Sequence, residues 1–257
     1  MTSLLRRGSL IFALLALLLG AVWMHRQDLG LARSSAPDFA SYTDVAQRKA
    51  AFFNWLAPVV EEENERVVRV RHHLLILDQR LEAGGACHGS DRAFLRDLAG
   101  QYKVPATDGQ EELAVPELLN RVDAVPSRLV LVQAAVESAW GMSRFAREGN
   151  NYFGIWTWRG GGMVPNQRAA GKKHTVAVYP DAAASVRTYL YTLDCGASYD
   201  HFRTLRAAAH ENGNAPSAHE LAGGLASYSE RGAEYVAEIR QVLRVNADLL
   251  DAALQED

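Results

Sequence analysis

The residue with the clearest capacity for chemistry is Glu137, which ends an otherwise apolar segment. Residues 129–136 read LVLVQAAV, so Gln133 is the only polar side chain in the eight positions before it. An ionised carboxylate is costly to bury unless it is paired, and an unpaired one has a raised pKa. A raised pKa is what a general acid needs near neutral pH. Glu137 is therefore a candidate general acid, or else the buried ion-pair partner of Arg144 or Arg147.

Other kinds of chemistry find less support in the sequence. The histidines are scattered without a metal-ligand spacing, and the sequence contains no HExxH or CxxC motif. No glycine-rich stretch leads into a helix as a phosphate-binding loop would. We therefore expect no metal and no cofactor. With 27 basic against 30 acidic residues the chain offers no strongly charged face for a polyanion, so nucleic acid is not an expected partner. Ser138 is expected to be a hydrogen-bonding neighbour of Glu137 rather than a nucleophile.

The N-terminus has the layout of a targeting segment. Arg6 and Arg7 precede an uncharged, Leu/Ala-rich run over residues 8–24, which is typical of a positive n-region followed by an apolar h-region. No convincing small-x-small cleavage site follows the run. We expect residues 1–24 to be an uncleaved signal anchor in the inner membrane with the rest of the chain in the periplasm, the alternative being export after signal-peptide removal. Residues 25–44 are predicted to be a linker.

Export would decide whether the two cysteines of the chain meet oxidising conditions. In an oxidising compartment Cys87 and Cys195 could form a disulfide across a long loop, which would contribute about 4–5 kcal/mol in the chain-entropy model. Two free, buried thiols are the other reading. The sequence leaves both open.

The elements that must position Glu137 are mainly helical. Apolar residues spaced three and four apart predict one amphipathic helix from Val45 to Glu82, or two helices broken near Pro58. A helix with Ser127 as its N-cap should carry Glu137. The alternating residues 152–158 and 175–179, joined by a glycine turn, indicate a small antiparallel hairpin. Further predicted helices cover residues 91–102, 111–122, 182–193, 199–210, 218–225 and 230–250.

Two motifs in the right order resemble the glucosaminidase-domain peptidoglycan hydrolases, and among these the bacterial Bax-type proteins. Residues 134–141, AAVESAWG, contain the Glu-Ser-x-Trp-Gly helix end of the family, and residues 150–156, NNYFGIW, resemble its Asn-(Leu/Tyr)-Phe-Gly-Ile strand. The similarity continues through residues 174–189 and resumes at residues 225–236. It implies a helical N-terminal region over residues 45–125 and a catalytic domain over residues 126–257.

The resemblance implies an α+β, mainly α, lysozyme-like fold with a small β-hairpin lobe. It also implies cleavage of the β-1,4 bond after N-acetylglucosamine in peptidoglycan glycan strands. The family's catalytic Glu corresponds to Glu137, and the Tyr of its C-terminal motif corresponds to Tyr228, which could orient a water or the acetamido group of the sugar. The candidate substrate-binding residues are Trp140, Asn151, Tyr152, Phe153, Trp156, Asp181 and Glu230. Most of the aromatic rings among them are expected to serve the core as well.

A second carboxylate is missing where glycoside hydrolysis would usually need one. Retaining enzymes place it about 5 Å and inverting enzymes about 6.5–9.5 Å from the first, yet no Asp or Glu lies between Glu148 and Asp181. Asp181 fits a helix N-cap better than a catalytic base. Assistance by the 2-acetamido group, or a water held by Tyr228, is the better hypothesis. The alternatives are a lytic transglycosylase, an amidase, or a cell-wall-binding scaffold whose catalysis has lapsed.

Overall fold

A computed structural model describes residues 35–158, 160–165 and 174–255 of the chain. The predicted signal anchor, residues 1–24, lies outside these residues. Within the described ranges, no helix is both long and apolar enough to span a bilayer. Residues Pro37–Asp257 form one compact unit.

The described residues are mainly helical with one small antiparallel sheet, which confirms the predicted mainly helical α+β composition. The helices are α1 (Val45–Glu82), α2 (Gly89–Tyr102), α3 (Val115–Arg121), α4 (Ser127–Glu137), α5 (Arg144–Gly149), α6 (Ala182–Cys195), α7 (Asp200–Glu211), α8 (Ala218–Leu221), α9 (Ala233–Val245) and α10 (Ala247–Leu254). The strands are β1 (Trp156–Thr157) and β2 (Thr175–Val176). Short 3-10 turns cover Phe39–Ser41, Glu111–Ala114, Ala197–Tyr199 and Ala222–Leu225.

Helix α1 is a single helix of 38 residues with the bounds that the spacing predicts. Asp44 caps its start, because the Asp44 carboxylate accepts a hydrogen bond from the Gln47 backbone at 2.7 Å. Pro58 lies inside the helix and does not end it. Phe52, Phe53 and other apolar residues of its inner face are fully buried against α4, α6 and α10. The helical N-terminal region therefore shares one core with the helix that carries Glu137.

The end of the predicted linker is part of this core. Phe39 is buried, and its ring packs edge-on against Phe52 at 5.3 Å and against Trp55 at 5.7 Å. The ring also lies against Gly141, where an added Cβ would come within 2.4 Å of it. Gly141 has φ of +76°, so a side chain there would be both strained and obstructed.

Two predicted helix starts are wrong. Ser127 is the first residue of α4 rather than its N-cap, and the residue before it, Pro126, occupies the cap position. The hydroxyl of Ser127 instead accepts a hydrogen bond from the Asn64 amide at 3.3 Å, which ties α4 to α1. The last predicted helix begins at Ala233 instead of Glu230, and it is divided at Asn246.

The hairpin is shorter than the alternation of residues 152–158 predicts. Its register pairs Trp156 with Val176 and Thr157 with Thr175. Directly before β1 the Ile155 carbonyl still accepts from the Ala177 backbone at 2.9 Å, but the buried Asn151 side chain folds the residues before Ile155 into a turn. Its amide nitrogen donates to the Ile155 carbonyl at 2.9 Å, and its oxygen accepts from the Ile155 backbone at 3.1 Å.

Both cysteines are free thiols in the structure. Cys195 belongs to a core cluster with residues of α1, α2 and α3, and Cys87 packs against the same cluster. Of the two alternatives left by the sequence, the structure has the unpaired one.

Candidate active site

Glu137 is the last residue of α4, a helix whose residues 129–135 are all buried. The chain turns away directly after it, because Ala139, Trp140 and Gly141 have φ of +51°, +59° and +76°. Positive φ is unfavourable for residues with a Cβ, so this turn is strained and must be held by its surroundings. Ser138 contributes, since its hydroxyl donates to the Ala134 carbonyl at 2.6 Å and accepts from the Gly141 backbone at 2.8 Å. The predicted hydrogen-bonding role of Ser138 is confirmed.

A chain of hydrogen bonds reaches Glu137 from behind. The Tyr235 hydroxyl on α9 donates to Glu137 Oε1 at 2.7 Å. Gln133, one turn before Glu137 on α4, donates from its amide nitrogen to the Tyr235 hydroxyl at 2.9 Å. The Tyr189 hydroxyl on α6 donates to the amide oxygen of Gln133. We call the three residues Tyr189, Gln133 and Tyr235 the relay.

The sequence alone did not predict a functional role for the three residues of the relay. Gln133 carried a signal, because it is the one polar residue in the apolar segment and lies on the same helix face as Glu137. Nothing in the local sequence around Tyr189 and Tyr235 links them to Glu137, since they are buried tyrosines on helices far along the chain.

Burial raises the pKa of Glu137, while the hydrogen bond from Tyr235 and the charge of Arg231 oppose the rise. Glu238 raises it further, although it forms an ion pair with Arg231 at 2.7 Å. Among the described residues Glu137 forms no ion pair with Arg144 or Arg147, and the Arg144 guanidinium donates to the Val164 carbonyl at 2.6 Å. A half-buried carboxyl with a raised pKa keeps its proton to a higher pH than an exposed one, as a general acid must.

Tyr228 lies beside this carboxyl and the relay. Its ring stacks on Tyr235 with centroids 5.7 Å apart and planes 5° apart. Its hydroxyl donates to the Phe153 carbonyl at 2.8 Å, which leaves the lone pairs of the oxygen free to accept another hydrogen bond. Glu137 Oε2 lies near the next residue, Gly154, where an added Cβ would be 3.5 Å from that oxygen. The two predicted catalytic residues are thus brought to the same segment of chain.

Several predicted substrate-binding residues are in the core. Tyr152 is buried against Trp55 at 5.2 Å. Phe153 is buried and stacks on Tyr189 at 4.2 Å, which packs the NNYFGIW segment against the relay. Asn151 is buried by its turn. Trp140 is half-buried and contacts Phe53 of α1 edge-on at 5.2 Å.

The exposed aromatic rings lie on the hairpin. Trp156 is 51% exposed and stacks on His174 with centroids 4.1 Å apart, while Trp158 beside it is 73% exposed. The two rings are 6.4 Å apart and form a contiguous exposed apolar patch, a feature that can mark a binding site. A role for Trp156 in substrate binding stays a prediction.

The predicted acidic residues have structural roles or lie at the surface. Asp181 is the N-cap of α6, because its carboxylate accepts from the Ala184 backbone at 2.8 Å. Glu148 is exposed and lies 3.9 Å from Arg144. Glu230 is exposed in the turn before α9. In the described part of the chain, no group of three or more His, Cys, Asp or Glu could hold a metal ion.

Comparison with known proteins identifies the family. A family profile described as mannosyl-glycoprotein endo-beta-N-acetylglucosaminidase matches residues 114–247, more than half of the chain and including Glu137, the relay and Tyr228. Protein bax of Escherichia coli (strain K12) is 31% identical over 202 residues, which cover 79% of this chain and 71% of that protein. No solved structure matches the chain. With that profile match and that relative, the chain belongs to the glucosaminidase family.

Proposed function

We propose that the protein is a glycoside hydrolase that cleaves the β-1,4 bond after N-acetylglucosamine in peptidoglycan, with Glu137 as the general acid. One observation carries the proposal: within the glucosaminidase region, a half-buried Glu137 ends a buried helix and is hydrogen-bonded at Oε1 by the phenol of Tyr235. In keeping with the N-terminal sequence, we place the enzyme in the periplasm, anchored through residues 1–24.

The electrostatic surroundings of Glu137 suit an acid that gives up its proton and later regains it. Burial favours the protonated form before the reaction, because it raises the pKa of Glu137. Tyr235 and the positive charge of Arg231 stabilise the carboxylate that remains after the proton has moved to the glycosidic oxygen. Both requirements of a general acid are met by groups already in the fold.

The partner of Glu137 is better supplied by the substrate than by a second acid. Asp181 is occupied as a helix cap, and Glu148 lies on the surface near Arg144. The oxygen of Tyr228 can accept a hydrogen bond from the acetamido N–H or from a water, because its own proton is given to Phe153. We therefore assign Tyr228 the orientation of the acetamido group or of that water.

The exposed rings of Trp156 and Trp158 offer a surface on which a sugar face could stack. Trp156 ends the NNYFGIW segment and begins β1, and Trp158 directly follows that strand. Aromatic rings with one exposed face bind the apolar face of a pyranose by the same packing that buries them against other rings. The buried residues Asn151, Tyr152 and Phe153 would support this surface from the core.

Digestion of purified sacculi by the full chain, followed by mass analysis of the products, tests the proposal. New reducing N-acetylglucosamine ends are expected, and Glu137→Gln should produce none. Anhydro-muramyl ends would instead identify a lytic transglycosylase, which needs no second acid; Glu238, the acid that acts on the charge of Glu137, is paired with Arg231. Free stem peptides would identify an amidase. Binding to sacculi without any cleavage would identify a scaffold.

A further inference from the structure

The relay behind Glu137 has a direction, and the buried tyrosine at its far end determines it. Tyr189 is fully buried, and its hydroxyl proton needs an acceptor, which is the amide oxygen of Gln133. The amide nitrogen of Gln133 must then point to the Tyr235 hydroxyl, 2.9 Å away. Because Tyr235 accepts from Gln133, its own proton is directed to Glu137 Oε1, 2.7 Å away.

This direction makes the two oxygens of Glu137 unequal. Oε1 accepts from Tyr235 whether the carboxyl is ionised or neutral, and a proton on Oε1 would compete for the same contact. Oε2 lies near Gly154, where an added Cβ would be 3.5 Å away, and none of the described residues donates a hydrogen bond to it. We propose that the relay keeps the transferable proton of Glu137 on Oε2 and that Tyr235 is a positioning residue, an inference that rests on the function proposed above.

The step that the relay prepares is a single proton transfer. The O–H bond at Oε2 breaks, and the proton bonds to the glycosidic oxygen. The bond from that oxygen to C1 of N-acetylglucosamine breaks, and its electron pair goes to the departing oxygen while the acetamido oxygen, or a water that releases one proton to solvent, attacks C1. Glu137 keeps the O–H electron pair as a carboxylate. The hydrogen bond from Tyr235 becomes charge-assisted during the transfer, so it is stronger in the transition state than before it.

Other groups also face Glu137, and each acts differently from the relay. Arg231 and Glu238 act on its charge with opposite signs and are paired with each other at 2.7 Å. The hydroxyls of Tyr228 and Tyr199 respond to its charge, and the structure gives neither a hydrogen bond to it. Among the described residues, Tyr235 is the donor in direct contact with the carboxyl.

The test is the pH dependence of glycan cleavage by the full chain and its variants on soluble peptidoglycan strands. Tyr235→Phe removes a hydrogen bond that favours the ionised acid, so the basic limb of the kcat profile should move up by about one pH unit. The plateau of kcat should fall about tenfold with KM nearly unchanged, because a weaker acid transfers its proton less readily. Tyr189→Phe should shift the limb in the same direction by less, since it frees the Gln133 amide to rotate.

Tyr191→Phe is the matched control. It also removes a tyrosine hydroxyl from α6, one that donates to the Gln101 carbonyl at 2.8 Å outside the site, and its profile should coincide with that of the native chain. A Tyr235→Phe profile that is lower at every pH but has an unmoved basic limb would mean that Tyr235 is only structural, and it would overturn the inference.

A carboxyl-carbon NMR titration of Glu137 provides a readout that needs no turnover. The Glu137 pKa should rise in Tyr235→Phe and, by less, in Tyr189→Phe, which keeps the question decidable if Tyr235→Phe does not fold. An unchanged Glu137 pKa in a folded Tyr189→Phe and Tyr235→Phe pair overturns the relay. Full activity of Glu137→Gln overturns the proposed general acid instead, so the two failures are distinguishable.

Discussion

A half-buried carboxyl, Glu137, and a fully buried one, Asp194, have different kinds of hydrogen-bond donor. Glu137 accepts a hydrogen bond from a neutral phenol, and the cation that acts on its charge, Arg231, is paired with another acid. Asp194 is 1% exposed and accepts directly from Arg206, which is equally buried, at 2.9 Å. Burial raises the pKa of both carboxyls, and that of Asp194 rises to about 7. The two carboxyls share the effect of burial and differ in their hydrogen-bond donor, which is a neutral phenol for Glu137 and a buried cation for Asp194.

The surroundings of Asp194 explain what that cation does. Besides Asp194, the Arg206 guanidinium binds the backbone carbonyls of residues 120, 121 and 123 at 3.0–3.1 Å. The side chain of Asp123 is contacted in turn by His210 at 2.6 Å and by Arg71 of α1 at 3.4 Å. This ionic cluster joins α1, α6, α7 and the segment before α4. This cluster holds the scaffold together, whereas Glu137 is the acid to which we assign chemistry.

The largest expected effect is the loss of activity in Glu137→Gln. Cleavage of sacculi should fall about 1,000-fold, because an amide cannot donate the proton. The melting temperature should be unchanged or higher, since the variant no longer buries an ionisable group whose pKa is raised by that burial. Turbidity clearance and thermal unfolding measure the two outcomes on the same preparation.

Glu148→Gln controls for the chemical change itself. Glu148 is an exposed acid at the end of α5, so its amide variant should retain both activity and stability. A fall in the melting temperature of Glu137→Gln by several degrees would contradict the comparison, because Glu137 would then belong with Asp194 as a structural acid.

Breaking the ionic cluster should have the reverse signature. Arg206→Met leaves Asp194 and Asp123 buried without their shared cation, and we expect it to lower the free energy of unfolding by about 3–5 kcal/mol. The fraction that stays folded should cleave sacculi at the native rate. Urea unfolding with a parallel activity assay checks both expectations.

Arg69→Met is the control for Arg206→Met. Arg69 forms an exposed ion pair with Glu65 at 3.4 Å on α1, and the loss of such a pair typically costs about 0.5 kcal/mol or less. If the two variants lost similar stability, the cluster would contribute no more than a surface pair, and the structural role assigned to it would be wrong.

The pH dependence of stability should reveal Asp194 directly. Burial gives this carboxyl a pKa of about 7 in the folded chain against an ordinary value of 3.8. Between these values the folded chain holds more protons than the unfolded one, so stability should fall as the pH rises through that window. Asp194→Asn should flatten the curve, which urea unfolding across the window would show. The exposed acid Asp97 supplies the control, since Asp97→Asn should leave the slope as it is.

The sequence located Glu137 because a single acid in an apolar helix is visible without any structure. The length of α1 was predictable for a related reason, since its apolar spacing of three and four runs from Phe52 to Leu81 with one step of seven, two helical turns, across the glutamate run. Both features depend on residues close together in the chain, where periodicity carries the information.

What the sequence could not predict depends on contacts between distant residues. Tyr189 and Tyr235 lie 56 and 102 positions from Gln133, so nothing in their local patterns links them to Glu137. The short hairpin was mispredicted for a local reason, because the side chain of Asn151 forms hydrogen bonds with the backbone of Ile155 and holds this segment in a turn. That the cysteines are unpaired also depends on where the fold places them, since Cys195 is buried in a packed cluster.

The smallest expected effect concerns Asp181, the acid whose assignment to chemistry or to structure matters most for the comparison. As the N-cap of α6 it accepts from the Ala184 backbone at 2.8 Å, so Asp181→Ala should cost about 1 kcal/mol of stability, whereas Asp181→Asn should cost almost none because asparagine caps equally well. A catalytic base would respond differently, since neither alanine nor asparagine can accept a proton and both variants would abolish cleavage of sacculi. We expect Asp181→Asn to retain full activity, which would leave the substrate's own acetamido group, or a water held by Tyr228, as the partner of Glu137.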